Sequence, residues 1–501
     1  MQVILPFVGL CLLLGIGHYL RMKIRLLQKL YLPSAVIGGL LGLLIVQAVV
    51  RTVSPKLPQR RTHKAPPKDM ATWRVGDPMP ETWPAKAPEG GWSGSAKLLV
   101  NWTSGWGKLP GSLINVVFAC LFLGMAIPSI GTVWRRAGPQ LAYGQIVAWG
   151  QYVVGVGLFL VLVVQFWPGL PAMFGGVLPV GFEGGHGTAA GLATTFDKNG
   201  WEAGKDFALA SATAGILSAV IFGMVMINWA ARKGYTVRRQ RPEDITEDES
   251  IGVIPVDRRP EAGRITVRSG AIGALTFHFA LIGVAILIGY GILQGLIALG
   301  DLGGPETVFS KVMHSFPLFP LCMIGGLIVQ VFEQKFDRHK LIDPGLVRLI
   351  QNLSLDFLVV AAIATIRVEV IAAGLVPLLI LVAAGIVWNV FCVGFLARRL
   401  LPDAWFERSI AEMGQSMGVT ATGLLLLRVV DPDYETPAAD AFAYKQMLHE
   451  PFMGGGLWTS AAIPLLALWG GWPVFAIAVG AVAAWVVIGA AMRLAGRTAR
   501  S

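Results

Sequence analysis

Apolar segments of membrane-spanning length recur along almost the whole chain, and that recurrence limits the fold more than any single motif. A helix needs about 20 apolar residues to cross a bilayer. On that criterion spans fall near residues 2–20, 33–50, 112–134, 140–167, 206–230, 270–299, 309–332, 347–372, 374–397, 451–469 and 471–492. Of the 501 residues 54% are hydrophobic and only 14% are charged, more apolar content than one soluble core could absorb. The expected class is an all-α, polytopic membrane protein. The net charge of +11 falls mostly in short loops, where Lys and Arg act as topology signals, and no nucleic-acid motif accompanies it. The lipid bilayer is an expected partner and nucleic acid is not. Cys11, Cys120, Cys322 and Cys392 lie in apolar stretches without CxxC spacing, so they read as small core residues rather than a disulfide or zinc framework.

Two apolar segments, about 172–196 and 408–430, are interrupted by Gly, Thr and Ser. The first contains Pro179-Val-Gly-Phe-Glu-Gly-Gly-His-Gly-Thr-Ala-Ala-Gly191. Glycine lets a ligand reach main-chain amides and carbonyls, and it lets a helix stop and restart at positive φ. Irregular backbone at membrane depth is tolerated only where protein or a water-filled cavity satisfies it. Both segments are therefore expected to be re-entrant hairpins, with a glycine-rich surface loop as the plainer reading of the first. The second reads Glu412-Met-Gly-Gln-Ser-Met-Gly-Val-Thr-Ala-Thr-Gly423. Its hydroxyls and amide, with unwound carbonyls, supply oxygens that suit Na⁺, while half-helix N-termini suit a carboxylate. Helix packing through the same hydroxyls is the plainer alternative.

Topology follows from the basic residues. The first span lacks a basic leader and is followed by Arg21, Lys23, Arg25 and Lys29, which predicts a retained helix with its N-terminus outside. Arg135 and Arg136, the 231–268 loop, Lys335 to Lys340, Arg398 and Arg399 then fall on the cytoplasmic side, provided each hairpin enters and leaves on one face. Hairpin 172–205 would open outward and hairpin 407–450 inward. The expected organisation is an N-terminal helix and linker over 1–32, and a first repeat over 33–230 carrying an extracytoplasmic insertion at 51–110. A cytoplasmic linker at 231–268 and a connecting helix at 269–308 lead to a second repeat at 309–470 and a C-terminal helix and tail at 471–501.

The repeat rests on a shared phrase. Pro33-Ser-Ala-Val-Ile-Gly-Gly-Leu40 and Pro320-Leu-Cys-Met-Ile-Gly-Gly-Leu327 are both P-x-x-x-I-G-G-L. Each is followed by two apolar spans, a broken Gly/Thr segment and a further span. On the topology above the two copies run in opposite senses, giving the inverted repeat found in many secondary transporters.

Ionisable residues at membrane depth are functional candidates by default. Asp356, within Leu353-Ser-Leu-Asp-Phe-Leu-Val-Val360, reads as an ion- or proton-coupling group or as one half of a structural pair. Glu183 and His186 read as a protonatable or substrate-binding pair, against a histidine simply held by carbonyls in a tight turn. Arg367 and Glu369 read as partners of each other near a helix end.

At this level the chain resembles the bacterial sodium/glutamate symporter family. The resemblance is carried by Leu32 to Leu40, by Gly184-Gly-His-Gly-Thr188 with Ala189 and Ala190, by Phe207-Ala-Leu-Ala-Ser-Ala-Thr-Ala-Gly215, by Val347-Arg-Leu-Ile-Gln-Asn-Leu-Ser354, and by Gly418-Val-Thr-Ala-Thr422. It implies Na⁺-coupled import of glutamate or a related anionic amino acid across the cell (inner) membrane, by a homodimer in which two re-entrant hairpins meet at the site. It also implies no cofactor beyond Na⁺ as coupling ion. Candidate substrate-binding residues are Gly185, His186, Gly187, Thr188, Gly418, Thr420 and Thr422. Candidate ion-coupling residues are Ser416, Thr213, Asp356 and Glu183, with a Na⁺ site near Thr188 and Thr420. Glu183 and Asp356 depart from the family pattern, which has small, hydroxyl or apolar residues there, and Arg428 has no obvious family equivalent. A dicarboxylate or hydroxycarboxylate symporter is the runner-up. A membrane-embedded enzyme using His186 with Glu183 or Asp356 lacks any G-x-S-x-G, H-E-x-x-H or phosphate-loop motif, and paired inverted hairpins fit a carrier better than a channel.

Overall fold

The computed structural model describes residues 4–30, 32–53, 102–103, 105–237, 253–432 and 434–498; most of the expected 51–110 insertion and part of the 231–268 linker lie outside these. Every regular element among the described residues is helical. The chain runs through α1 (Ile4–Lys23), α2 (Ser34–Val53), α3 (Leu109–Ala119), α4 (Ile130–Leu158, continuing to Phe166 through a π turn), α5 (Val177–Phe182), α6 (Gly185–Gly191) and α7 (Gly204–Lys233). It continues through α8 (Ala274–Leu302), α9 (Phe319–Phe336), α10 (Pro344–Ala364), α11 (Leu375–Phe391), α12 (Trp405–Met417), α13 (Thr420–Val430), α14 (Ala438–His449), α15 (Leu457–Trp469) and α16 (Gly471–Thr498). Among the described residues seven helices are long and apolar enough to cross a membrane, and up to eight if the bent pair Val308–Ser315 and α9 counts as one span. This is a multi-pass membrane protein. Its four cysteines are free.

Four expected spans are interrupted, each for a visible reason. The expected 112–134 span stops at Ala119, and α4 restarts at Ile130, where the Ser129 hydroxyl caps the Thr132 amide at 3.3 Å. Between them Gly124 takes φ +78, and the Gly124 and Ile127 amides donate to Gln330 and Gln334 of α9 at 2.6 and 3.3 Å. The expected 347–372 span breaks after Ala364 because the Arg367 amide donates to Asp206 Oδ1 at 2.9 Å instead of to a helical carbonyl. The Arg367 guanidinium pairs with Asp206 at 2.6 Å and Glu202 at 2.8 Å, not with Glu369 as the sequence suggested. The expected 309–332 span bends by 82° around Phe316 to Leu318, and the 451–469 span begins only at Leu457, after Pro451 and three glycines, Gly454 and Gly455 with positive φ.

The P-x-x-x-I-G-G-L phrases turn out to be packing devices that repeat in space. A Cβ on Gly38 would sit 2.5 Å from Leu13 O of α1, and one on Gly17 would sit 2.8 Å from the Gly38 amide. In the second half Gly325 abuts Ala285 and Gly289 of α8 in the same way, four residues apart as Leu13 and Gly17 are. The neighbouring glycines each reach into the other half: Gly39 packs on Ile363 of α10, and Gly326 on the Ala119 carbonyl of α3. So α2 joins α1 to α10 as α9 joins α8 to α3, and α3 and α10 are counterparts. Together these six helices form one bundle, with α3 and α10 in mutual contact.

The remaining helices form a second bundle around α4 and α7. Helices α11, α14 and α16 pack on α4, while α5, α6 and α12 pack on α7. It contains both interrupted segments: α5 and α6 joined through Glu183 and Gly184, and α12 and α13 joined through Gly418 and Val419. The legs of the latter touch at Gly414 and Gly423, where a Cβ on Gly414 would come within 2.7 Å of Gly423 Cα. The two bundles meet at α6, which packs on α3 and α10, and along the exit of the first hairpin, where Thr195 and Lys198 donate to the carbonyls of Ser315 and His314 at 2.9 and 2.8 Å.

Candidate functional site

The breaks of the two interrupted segments, the tips of the expected hairpins, touch. Gly185 adopts φ +67, a left-handed conformation that disfavours any side chain, and a Cβ there would sit 3.2 Å from Val419 and 3.4 Å from the Gly418 carbonyl. At the other tip Gly418 has φ −137 and ψ −106 and Val419 is extended, so the backbone unwinds for two residues before α13 begins at Thr420. The first amides of α13 have no helical carbonyl to bond, as at any helix start. A third irregular stretch, residues 450–456 between α14 and α15, closes over the tips. Thr188 Oγ1 lies 3.5 Å from Gly454 O, and a Cβ on Gly454 would sit 3.8 Å from Glu183 O.

Each tip is held by a polar chain. Glu183 Oε1 accepts from Gln415 Nε2 of α12 at 2.8 Å and from His449 Nε2 of α14 at 2.6 Å, while Glu183 Oε2 is buried and bonds nothing among the described residues. The donor state of His449 is fixed from behind. An indole N–H can only donate, so Trp149 Nε1 requires Gln145 Oε1, at 3.1 Å. Gln145 Nε2 then donates to His449 Nδ1 at 3.2 Å, which leaves the proton of a neutral imidazole on Nε2, facing Glu183. On the other side Gln415 Oε1 accepts from Lys445 Nζ at 3.1 Å. Lys445 also donates to Glu412 Oε1 at 2.6 Å and Gln446 Oε1 at 2.9 Å, and both members of the Lys445–Glu412 pair are fully buried. Glu412 Oε2 accepts from Gln140 at 3.0 Å. Gln446 Nε2 reaches Thr420 Oγ1 at 2.7 Å, and Thr420 donates to Glu450 Oε1 at 2.9 Å.

The structure places most of the sequence candidates at or just behind these tips. Gly185, Thr188, Gly418 and Thr420 line the meeting point. His186 Nε2 donates to Thr213 Oγ1 of α7 at 2.9 Å, and Thr213 in turn donates to Leu209 O at 3.0 Å. Thr422 is buried one turn into α13, 3.0 Å from where a Cβ on Gly418 would sit. Ser416 faces away, donating to Asn389 of α11 at 2.6 Å. The positive φ in the glycine-rich motif belongs to Gly185; Gly187 is helical, and a Cβ there would meet Ile114 of α3 at 3.0 Å. Asp356 stands apart. It lies on the exposed stripe of α10 with Asn352 and Leu353, and bonds nothing among the described residues.

Sequence reasoning took Gln415 only as an oxygen suited to Na⁺, and passed over Lys445, Gln446, His449 and Glu450. The last four form a K-Q-x-x-H-E pattern at helical spacing, which is a legible signal in a chain with only seven histidines.

The sodium/glutamate symporter family matches residues 111–435, a stretch that holds most of α3 and all of α4 to α13. No curated protein and no solved structure gives a match. The match covers more than half of the sequence and includes both unwound tips, so the chain belongs to the sodium/glutamate symporter family.

Proposed function

We propose that this protein imports glutamate together with Na⁺ across the cell's inner membrane by alternating access. The activity follows from the family. The observation that favours this mechanism is the meeting of two unwound hairpin tips, Gly185 on Gly418 and Val419, inside one bundle and beside the other. Unwound backbone between half-helices supplies carbonyls for a cation and amide ends for a carboxylate, as at transporter midplane sites. The bundle around α4 and α7 moves with its hairpins, and the bundle of α1, α2, α3, α8, α9 and α10 is the frame. The bonds from Thr195 and Lys198 to Ser315 and His314 then form and break in each cycle on the outer side. Substrate contacts fall to Gly185, Thr188, Gly418 and Thr420, with Na⁺ near Thr188 and Thr420, while Glu183 joins the two hairpins. The test is uptake into proteoliposomes of labelled glutamate, aspartate, dicarboxylates and hydroxycarboxylates with and without a Na⁺ gradient. Saturable, Na⁺-dependent glutamate uptake with counterflow is expected. Preference for a dicarboxylate without an amine would overturn the substrate, and uptake without counterflow would overturn the carrier mechanism.

A further inference from the structure

Glu450 is a carboxylate with one oxygen anchored and one oxygen open. Lys445 Nζ, a donor only, occupies Gln446 Oε1 at 2.9 Å and so turns Gln446 Nε2 toward Thr420 and Glu450. Glu450 Oε1 accepts from that amide at 3.2 Å and from Thr420 at 2.9 Å. Glu450 Oε2 bonds no group among the described residues, and unlike Glu183 Oε2 it is not sealed from solvent. The residue heads the 450–456 break, where a Cβ on Gly454 would lie 3.8 Å from both Glu450 Cγ and Glu183 O, so it stands beside both hairpin tips. Lys445, which holds Gln446, is spent on Glu412, and no Lys, Arg or His among the described residues forms an ion pair with Glu450.

We propose that Glu450 Oε2 receives the α-ammonium group of the transported amino acid, making Glu450 the residue that selects an amino acid over a plain dicarboxylate. An anchored carboxylate with a single open oxygen is a hydrogen-bond acceptor for –NH₃⁺, which brings three donors and the missing positive charge. Its orientation is set in advance by Thr420 and Gln446, so little side-chain entropy is lost on binding. The amide ends of α13, beginning at Thr420 itself, are then placed for the carboxylate of the same molecule. Glu450 lies beyond the stretch that the family match covers, and the assignment rests on the glutamate-uptake reading.

The experiment compares glutamate with glutarate, which is glutamate without the amine, as competitors of labelled glutamate uptake in proteoliposomes. The wild type should be inhibited at least tenfold more strongly by glutamate. Glu450→Gln keeps the acceptor for Thr420 and removes the charge. It should weaken glutamate at least tenfold, leave glutarate inhibition equal or stronger, and leave the Na⁺ concentration for half-maximal uptake unchanged. Glu450→Asp, which keeps the charge but withdraws it by one methylene, should fall between the two, and serves as the readout if the glutamine variant does not reach the membrane. A shifted Na⁺ midpoint with an unchanged glutamate-to-glutarate ratio would show instead that Glu450 holds Na⁺. Equal inhibition by both compounds in the wild type would also overturn the assignment. Absence of any glutamate uptake by the wild type refutes the transport reading itself, which is a separate failure.

Discussion

Replacing Lys445 by Met should destabilise the protein far more than replacing Lys445 and Glu412 together. The ammonium lies 2.6 Å from Glu412 Oε1, and both side chains are fully buried. At an effective dielectric constant of about 20 their attraction is about 6 kcal/mol, against a burial penalty of several kcal/mol per ion, so the intact pair adds little net stability. Lys445→Met leaves Glu412 charged, buried and, among the described residues, bonded only through Gln140, and strips Gln415 and Gln446 of their shared donor. Losing one partner of a buried pair costs about 3–5 kcal/mol. In Lys445→Met with Glu412→Leu the stranded charge is gone and only the two amide oxygens lack a donor, at about 1–3 kcal/mol each at most. The double variant should therefore recover a measurable part of the loss. Thermal unfolding in detergent, followed by tryptophan fluorescence, reads both, since the chain has 16 tryptophans. A single variant as stable as wild type, or a double variant no better than the single, would refute the reading of this pair.

Gly326→Ala should prevent stable folding, because its Cβ would run into the Ala119 backbone, whereas Gly187→Val meets only the end of the Ile114 side chain and should fold but lose uptake, as read by gel filtration beside transport. Glu183→Gln keeps an acceptor for His449 and Gln415 and should change uptake less than tenfold, while Glu183→Ala strands both donors and should lose stability by about 1–3 kcal/mol per donor; a severe loss of uptake in the well-folded glutamine variant would mean that the charge itself takes part. Moving one negative charge inward against an inside-negative potential costs about 2.3 kcal/mol per 100 mV, so driving a monoanion by that potential takes at least two Na⁺. Uptake should quicken when valinomycin and K⁺ make the vesicle interior negative, and uptake indifferent to voltage would point to a single Na⁺ or to exchange.

Membrane class, the two interrupted segments and the paired G-G phrases were legible because each depends on neighbouring residues. Helix α10 starts where Asp343 caps the Leu346 amide at 2.8 Å and Pro344 supplies a preset φ, and the Gly38 and Gly325 contacts follow from two adjacent glycines on a helix face. Span continuity was less legible, because apolar content alone does not reveal which amide will be taken by a side chain from elsewhere. The break after Ala364 is decided by Asp206, in a different helix, and the break after Ala119 is stabilised by Gln330 and Gln334 from the other half.

The two carboxylates at the tips show why site residues were only half legible. Glu183 drew notice as an ionisable residue at membrane depth, yet its bonded oxygen is taken by two donors and its other oxygen is sealed, so its geometry is that of a joint between the two interrupted segments. Glu450 sits in a polar stretch that reads as the end of a hairpin, and its placement depends on three residues converging from α13 and α14. Lys445 orients Gln446, Gln446 and Thr420 fix one oxygen of Glu450, and the other oxygen is left open beside the unwound tips. Sequence spacing puts Lys445, Gln446, His449 and Glu450 on neighbouring positions of one helix, but it does not say which of their charges is already spent. That distinction decides function at low dielectric: a buried charge with a protein partner holds the fold together, and one that lacks a partner needs a ligand to complete it.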